Sequence, residues 1–391
     1  MYLVNSRVIT MAGAIHGRAM LHLNEGRIAA VILNGTPPAD AAPSDILDLS
    51  GKTVLPGLIN CHMHILLDAS PDPDAAVRRE PLAYLTLQAA RRAREMVRAG
   101  ITTARDMGGT EHADIALKRA IAEGTIEGPR LLVSGKCVTM TGGHGWRMGR
   151  EADGPVEVRK AAREQIKAGA DLIKMMATGG VMTPGVEPGA AQFTFEELQA
   201  GVEEAHKAGR RAASHAQGAI GVKNALRAGI DSIEHGIYLD EEAIDLFLKM
   251  GAYLVPTLAA PHFILKGGLA AGIPAYAVEK TKRVAEAHRR SVEMARRAGV
   301  KIAAGNDAGT PLNPHADLVT ELELMIGVGF TPMEALTSAT RAAADLLGLS
   351  DVGTIEVDKR ADLIILEQDP LSDLSALRHV NLVFKEGKQV Q

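Results

Sequence analysis

Between residues 55 and 307 eight short apolar segments alternate with helix-length stretches, and this rhythm restricts the fold more than any other feature. The segments are LPGLINCHMH (55–64), TTARDMG (102–108), RLLVSG (130–135), DLIKMMA (171–177), RAASHA (211–216), SIEHG (232–236), YLVPTL (253–258) and KIAAGND (301–307). Helices are expected over 81–99, 112–123, 156–169, 195–208, 218–228, 240–250 and 279–299. Several end in Ala-Gly (99–100, 168–169, 208–209, 228–229, 298–299). Glycine there supplies the left-handed residue that stops a helix. Strands alternating with helices in this way predict an α/β chain, a (β/α)8 TIM barrel, with a doubly wound open sheet as the alternative.

Chemistry-bearing residues recur where these strands end. The run Val54–His64 reads as one buried strand, and residues two apart on a strand share a face, so His62 and His64 approach one point together. Two neutral imidazoles converging at a strand end suit a divalent metal, zinc above all. Lys174 closes ADLIK, His215 sits in RAASH, His235 in DSIEH and Asp307 in KIAAGND. These positions fall on strands one, four, five, six and eight. Only a closed barrel gathers five such strand ends around one centre, which disfavours the open sheet.

The order HxH, Lys, His, His, Asp on successive strands resembles the amidohydrolase superfamily of metal-dependent hydrolases. The segments TGGHG (141–145), TGGVMTPGVEPGAAQFT (178–194) and EHGIYLD (234–240) are similar to its prolidase-like branch, which cleaves dipeptides and N-acyl amino acids. The resemblance implies two divalent ions, zinc foremost. His62, His64 and Asp307 would hold one ion and His215 and His235 the other. Lys174 would be carboxylated on its side-chain nitrogen and bridge them. Burial favours the neutral amine this modification requires. Asp307 would move the proton from the attacking water to the leaving amine. Tyr238, three residues past His235, is the candidate donor to the oxyanion. His144 in the glycine-rich stretch 137–149 is expected to touch substrate, and Arg147 offers a bidentate fork to a substrate carboxylate. Asn306 stands before Asp307 where relatives often carry Thr or Ser, which alters a supporting hydrogen bond.

The remaining histidines read as bystanders. His206 lies on a polar helix, and His16, His22, His112, His288 and His379 sit in polar or surface-like contexts. His262 opens the connection 259–278, which could lid the site, and His315 could line the pocket, but each is expected to be structural. The two cysteines, Cys61 and Cys137, give no disulfide framework, and Cys61 falls on the face opposite the histidines, as a small buried apolar residue.

Residues 1–54 and 351–391 carry no helical period and alternate short strands with turns. They are expected to form one small β-sandwich domain flanking a barrel of residues 55–350. The net charge of −4, with mixed signs and no basic stripe, argues against nucleic-acid binding. No apolar run reaches membrane-spanning length, and the N-terminus lacks the pattern of a secretion signal, so a cytoplasmic protein is expected. The sequence therefore points to a hydrolase of C–N amide bonds acting on a small molecule with a free carboxylate. The resemblance implies a homo-oligomer. A cyclic-amide or lactone hydrolase and a catalytically silent metal-binding relative are the alternatives.

Overall fold

The computed structural model describes residues 1–390 as a mixed α/β protein. Eight central strands carry the rhythm read from the sequence: β1 (Leu58–Met63), β2 (Ile101–Asp106), β3 (Arg130–Val133), β4 (Leu172–Met176), β5 (Arg211–Ala216), β6 (Ser232–His235), β7 (Tyr253–Val255) and β8 (Lys301–Ile302). They run parallel in two hydrogen-bonded groups, β1-β2-β3 and β4-β5-β6-β7-β8. Between the groups the Asp171 N–H donates to the Val133 carbonyl at 2.7 Å. On the other side Cys61 N–H donates to the Ala304 carbonyl at 2.9 Å, and Met63 bridges Ala308 in parallel.

The helices fall where the periodicity placed them, at Leu82–Arg98, Ala113–Ala122, Gly154–Ala168, Phe195–Lys207, Ala219–Arg227, Glu241–Met250 and Ala275–Ala298. All five expected glycine stops adopt a left-handed backbone, from Gly100 at φ 88° to Gly299 at φ 81°. Each helix turns one stripe inward, as Leu85, Ala89, Ala93 and Met96 show at spacings of three and four. The connection 259–278 departs from expectation in form. It holds a helix, Ala259–Gly267, whose N-terminal end faces the cavity described below. Among the described residues no helix is long and apolar enough to cross a membrane.

The chain ends share one eight-stranded sheet. Strand Thr53–Pro56 pairs parallel with Tyr2–Ile9 and antiparallel with Leu363–Leu366, which pairs antiparallel with Val380–Lys385. Side chains alternate here as a strand requires. Val54 packs into the sheet's own cluster with Leu3, Leu21 and Phe384, whereas Leu55 packs into the main core with Leu58 and Met96. One strand thus mortises the terminal sheet to the central strands.

The run 54–64, read as one strand, is two, and the break is Gly57. Its amide donates to the Asp362 carbonyl at 2.8 Å, while that of Leu58 donates to Gly100 at 2.9 Å, so the chain changes partners between these residues. A Cβ at Gly57 would lie 2.1 Å from Thr102 Oγ1, and no side chain fits. Gly57→Ala is therefore expected to destabilise the protein by about 1–3 kcal/mol, the usual overpacking cost. Gly17→Ala, where a Cβ meets nothing within 4 Å, should be neutral. Denaturant midpoints of the two variants check this; equal midpoints would contradict it.

Candidate metal centre

The site is built from imidazoles whose orientation is fixed from behind. His62, on β1, has Nδ1 2.7 Å from Glu234 Oε2. Burial alone would raise the Glu234 carboxyl, but Arg105 and then His62 outweigh it and hold it well below the usual range. The carboxylate can only accept, so Nδ1 carries the proton and Nε2 presents a lone pair. His64 Nδ1 faces the Gly108 carbonyl at 3.2 Å, with the same consequence. His235 Nδ1 meets Thr257 Oγ1 at 2.7 Å, and that hydroxyl gives its own proton to the Pro256 carbonyl, so it accepts from the ring. His215 is tied through the other nitrogen, Nε2 to the Gly179 carbonyl at 3.0 Å, which frees Nδ1. Every one of the four rings therefore keeps one bare nitrogen. An imidazole held in one tautomer by a hydrogen bond at its far nitrogen is the usual arrangement for a metal ligand.

Asp307 stands opposite. Its Oδ1 lies 3.3 Å from Nε2 of both His62 and His64, yet it is buried without a hydrogen-bond partner. Given the tautomers above, these contacts bring acceptor against acceptor, an arrangement that a cation between them relieves. Burial would raise the Asp307 carboxyl, but His62 and His64 hold it well below its ordinary value. Burial opposes charging His64, yet the Asp307 carboxylate lifts its pKa above the ordinary value. Both shifts register the pull of this point for positive charge. Ligand atoms of His62, His235 and Asp307 lie within 4.8 Å of one another, and the donor set of imidazole and carboxylate fits a divalent ion such as zinc. Burial pushes His215 and His235 well below their ordinary values, so their rings are neutral, as ligation requires.

The backbone contributes strain. His235, Thr257 and Asp307 adopt left-handed conformations with φ of 74°, 55° and 57°. Each costs on the order of 1–3 kcal/mol and persists only where surroundings impose it. At His235 the turn breaks strand alternation, so adjacent residues serve one centre: Glu234 reaches behind His62 while His235 faces Asp307.

Lys174, on β4, is 1% exposed and lines the same cavity as the four histidines and Asp307. Burial lowers its pKa against the opposing pull of Glu234 and Asp307, which favours the neutral amine. The rings form an arc with neighbouring centroids at 5.5 Å (His64 to His62), 5.1 Å (His62 to His235), 4.6 Å (His235 to His215) and 4.3 Å (His215 to His144). His144 thus borders the centre. Its Nδ1 meets Thr183 Oγ1 at 2.8 Å, and burial, then Lys174, pulls its pKa down to about 3. Arg147 lines the outer cavity over the Trp146 ring and pairs with Asp74 at 2.7 Å. The walls between are apolar, with Leu67, Met176, Val181, Met182, Ile264 and Val284.

Tyr238 does not line the cavity: the strand has ended at His235, Gly236 turns the chain at φ 60°, and the Tyr238 ring sits near Gly189 with 36% of the residue exposed. One expectation needs correction. His288 is not at the surface. It is 1% exposed, lines the cavity, and places Nε2 2.7 Å from the Pro256 carbonyl and 3.1 Å from that of His235. His315 is structural as expected, with Nε2 2.9 Å from the His64 carbonyl. His262 packs on Phe263, and exposed His206 pairs with Asp231 at 2.8 Å. Asn306 takes the supporting place foreseen for it, accepting from Asn60 at 2.8 Å and donating to the Asp317 carbonyl at 3.0 Å. Cys61 packs with Ile59 and Val255, away from the histidines.

Sequence reasoning missed the support behind the ligands. Arg105 is buried and donates to Glu234 Oε1 at 2.9 Å, the Cys61 carbonyl at 2.6 Å and Ser232 Oγ at 3.1 Å. The signal was present: Arg105 in TTARD and Glu234 in DSIEH, opposite charges inside two segments expected to be buried strands.

The amidohydrolase family profile matches residues 53–390, and the chain belongs to this family, in its prolidase-like branch. Ochratoxinase of Aspergillus niger is 34% identical over 370 residues, covering 86% of this chain and 75% of its own. A solved Xaa-Pro dipeptidase with methionine bound in its active site superposes with a TM-score of 0.91 at 33% identity, covering 99% of this chain and 98% of its own. A solved prolidase complexed with N-methylphosphonate-L-proline gives a TM-score of 0.91 at 32% identity, covering 100% and 99%. The protein is a metal-dependent hydrolase of C–N bonds.

Replacing Glu234 by Gln would leave Arg105 buried without its counter-charge and His62 without its fixed tautomer. Glu234→Gln is expected to cost about 3–5 kcal/mol of stability and to weaken metal binding by about 10- to 100-fold. Chelator competition and thermal unfolding measure both; unchanged metal affinity would contradict the orienting role.

Proposed function

We propose that the chain is a binuclear metal-dependent amidohydrolase that cleaves the C–N amide bond of a small substrate carrying a free carboxylate. A dipeptide, Xaa-Pro or similar, or an N-acyl amino acid is the substrate. The observation that carries this reading is the set of bare ring nitrogens of His62, His64 and His235 gathered at Asp307, in the cavity that Lys174 and His215 also line. Family membership and the likeness to a prolidase and an Xaa-Pro dipeptidase support it.

His62, His64 and Asp307 would hold one ion and His215 and His235 a second, with Lys174 carboxylated between them. When bound, the divalent ions, zinc foremost, lower the pKa of water to about 7 and polarise the scissile carbonyl. The chain's own residues do the rest. Asp307 takes the proton of the attacking water, its basicity tuned by His62 and His64, and returns it to the leaving nitrogen. His144, held by Thr183, contacts the substrate near its carbonyl or carboxylate. Arg147, already paired with Asp74 and stacked on Trp146, presents its fork to the substrate carboxylate. The apolar walls exclude water from the reacting bond. Tyr238 keeps no role in this reading.

The architecture is read in the same way. Eight strands close into one barrel through the Asp171–Val133 and Met63–Ala308 junctions, spanning about residues 55–350. The terminal segments 1–54 and 351–391 would make the small flanking β-domain, expected as a β-sandwich and joined here in one eight-stranded sheet.

Release of free amino acid from Xaa-Pro, Xaa-Leu, Xaa-Arg and N-acetyl amino acids tests the reading. Turnover in at least one class is expected, and turnover of cyclic amides or lactones alone would overturn it. Asp307→Asn should retain bound metal and lose about 10²- to 10⁴-fold in kcat, the typical worth of a proton-transfer group. His144→Asn should lower kcat/KM more for carboxylate-bearing substrates than for their amides. Equal losses on both would contradict its contact with the carboxylate end.

A further inference from the structure

His288 and Gln217 share an unusual property. Both line the cavity, both are at least nine-tenths buried, and each keeps one acceptor atom, Nδ1 of His288 and Oε1 of Gln217, without a partner. The orientation of His288 is fixed. Its Nε2 lies between two carbonyls, Pro256 at 2.7 Å and His235 at 3.1 Å, and can only donate to them. With the ring proton engaged on Nε2, Nδ1 is the nitrogen left without a partner. His288 stands on the helix Ala275–Ala298 four residues after Val284 and seven after Thr281, so one helical face carries all three to the cavity wall.

Gln217 belongs to the same wall. Its carbonyl accepts from Tyr238 N–H at 2.8 Å, and one turn beyond His288 the Ser291 hydroxyl donates to the Ile237 carbonyl at 2.7 Å. The segment 235–238 thus joins the strand-five end that bears Gln217 to the helix that bears His288. A buried acceptor left unpaired costs about 1–3 kcal/mol, which a donor arriving with substrate recovers.

We infer that this wall is a binding subsite for the free α-amino group of an aminoacyl substrate, held by His288 and Gln217. The inference rests on the amide-hydrolase reading and narrows it to dipeptides over N-acyl amino acids. The α-amino group is the donor common to all dipeptides, whereas the scissile nitrogen of an Xaa-Pro bond bears no hydrogen. The neighbouring Val181, Met182, Ile264 and Val284 make the same end of the pocket suited to an apolar side chain.

The test uses metal-loaded enzyme and two ligand pairs that differ only in the amine. Leu-Pro is compared with 4-methylpentanoyl-proline by kcat/KM, and L-leucine with 4-methylpentanoate by calorimetric binding, which needs no turnover. Wild type should favour the amine-bearing member of each pair by at least tenfold. His288→Gln keeps a donor toward the two carbonyls and removes Nδ1. It should lose about 10- to 100-fold on the amine-bearing member and less than threefold on the other. Gln217→Met should behave alike and guards against a folding defect in the first variant. Equal losses on both members, or no preference in wild type, would overturn the subsite. Leu-Ala and its N-methyl counterpart separate the second source of N–H. A loss in His288→Gln that follows the scissile N–H would overturn the assignment to the amine. Binding preference for leucine with no cleavage of any amide would leave the subsite standing and sink the amide-hydrolase reading instead.

Discussion

The buried pair of Arg105 and Glu234 is the constraint on which the centre depends. Both side chains are almost without exposure, and the low dielectric around them makes their separation costly. Taking two charges out of water is seldom a net gain in stability, so the return lies elsewhere. Glu234 turns its second oxygen to His62 Nδ1, and Arg105 donates two further N–H groups to the Cys61 carbonyl and Ser232 Oγ. The pair thereby locks strands one, two and six to one another and fixes one imidazole in a single tautomer. The other rings repeat the device with cheaper parts, a carbonyl behind His64 and His215 and a hydroxyl behind His235. The result is a cavity in which lone pairs converge because every competing donor has been placed at the back.

Around that centre the wall is made of pieces that do not come from strand ends. Lys280 donates to the Thr183 carbonyl at 2.7 Å and the Gly180 carbonyl at 3.3 Å, and Tyr276 donates to Met182 at 3.1 Å. The long helix thus holds the segment that carries Val181, Met182 and Thr183, and Thr183 in turn holds His144. Glu321 accepts from the amides of Leu258 and Ala259 at 2.9 and 2.7 Å and seats the start of the Ala259–Gly267 helix. Burial pushes its pKa up to about 8. The converging imidazoles and the outer cavity wall therefore rest on different parts of the chain.

This division explains what could be read from the sequence. A strand keeps its period, so the positions of His62, His64, Lys174 and His215 followed from counting, and glycine stops fixed the helix ends. The Val54–His64 run defeated the same counting because two strands in different sheets abut at Gly57, and an apolar run does not record a change of partner. Tyr238 stands off the cavity wall because two left-handed residues, His235 and Gly236, turn the chain before it. His288 escaped because its helix is dominated by charged residues, and the narrow stripe of Thr281, Val284 and His288 is hidden in that composition. Glu234 and Arg105 lay in plain view as charges within short central strands, but their pairing spans 129 residues and needs the fold.

The most direct test of the central claim is to count metal in the purified protein by elemental analysis, after loading with zinc and ¹³C-labelled bicarbonate. About two ions per chain, with a labelled carbamate carbon that disappears together with one ion in Lys174→Met, is the result this account requires. A single ion or none, with no labelled carbon on wild type, would contradict it.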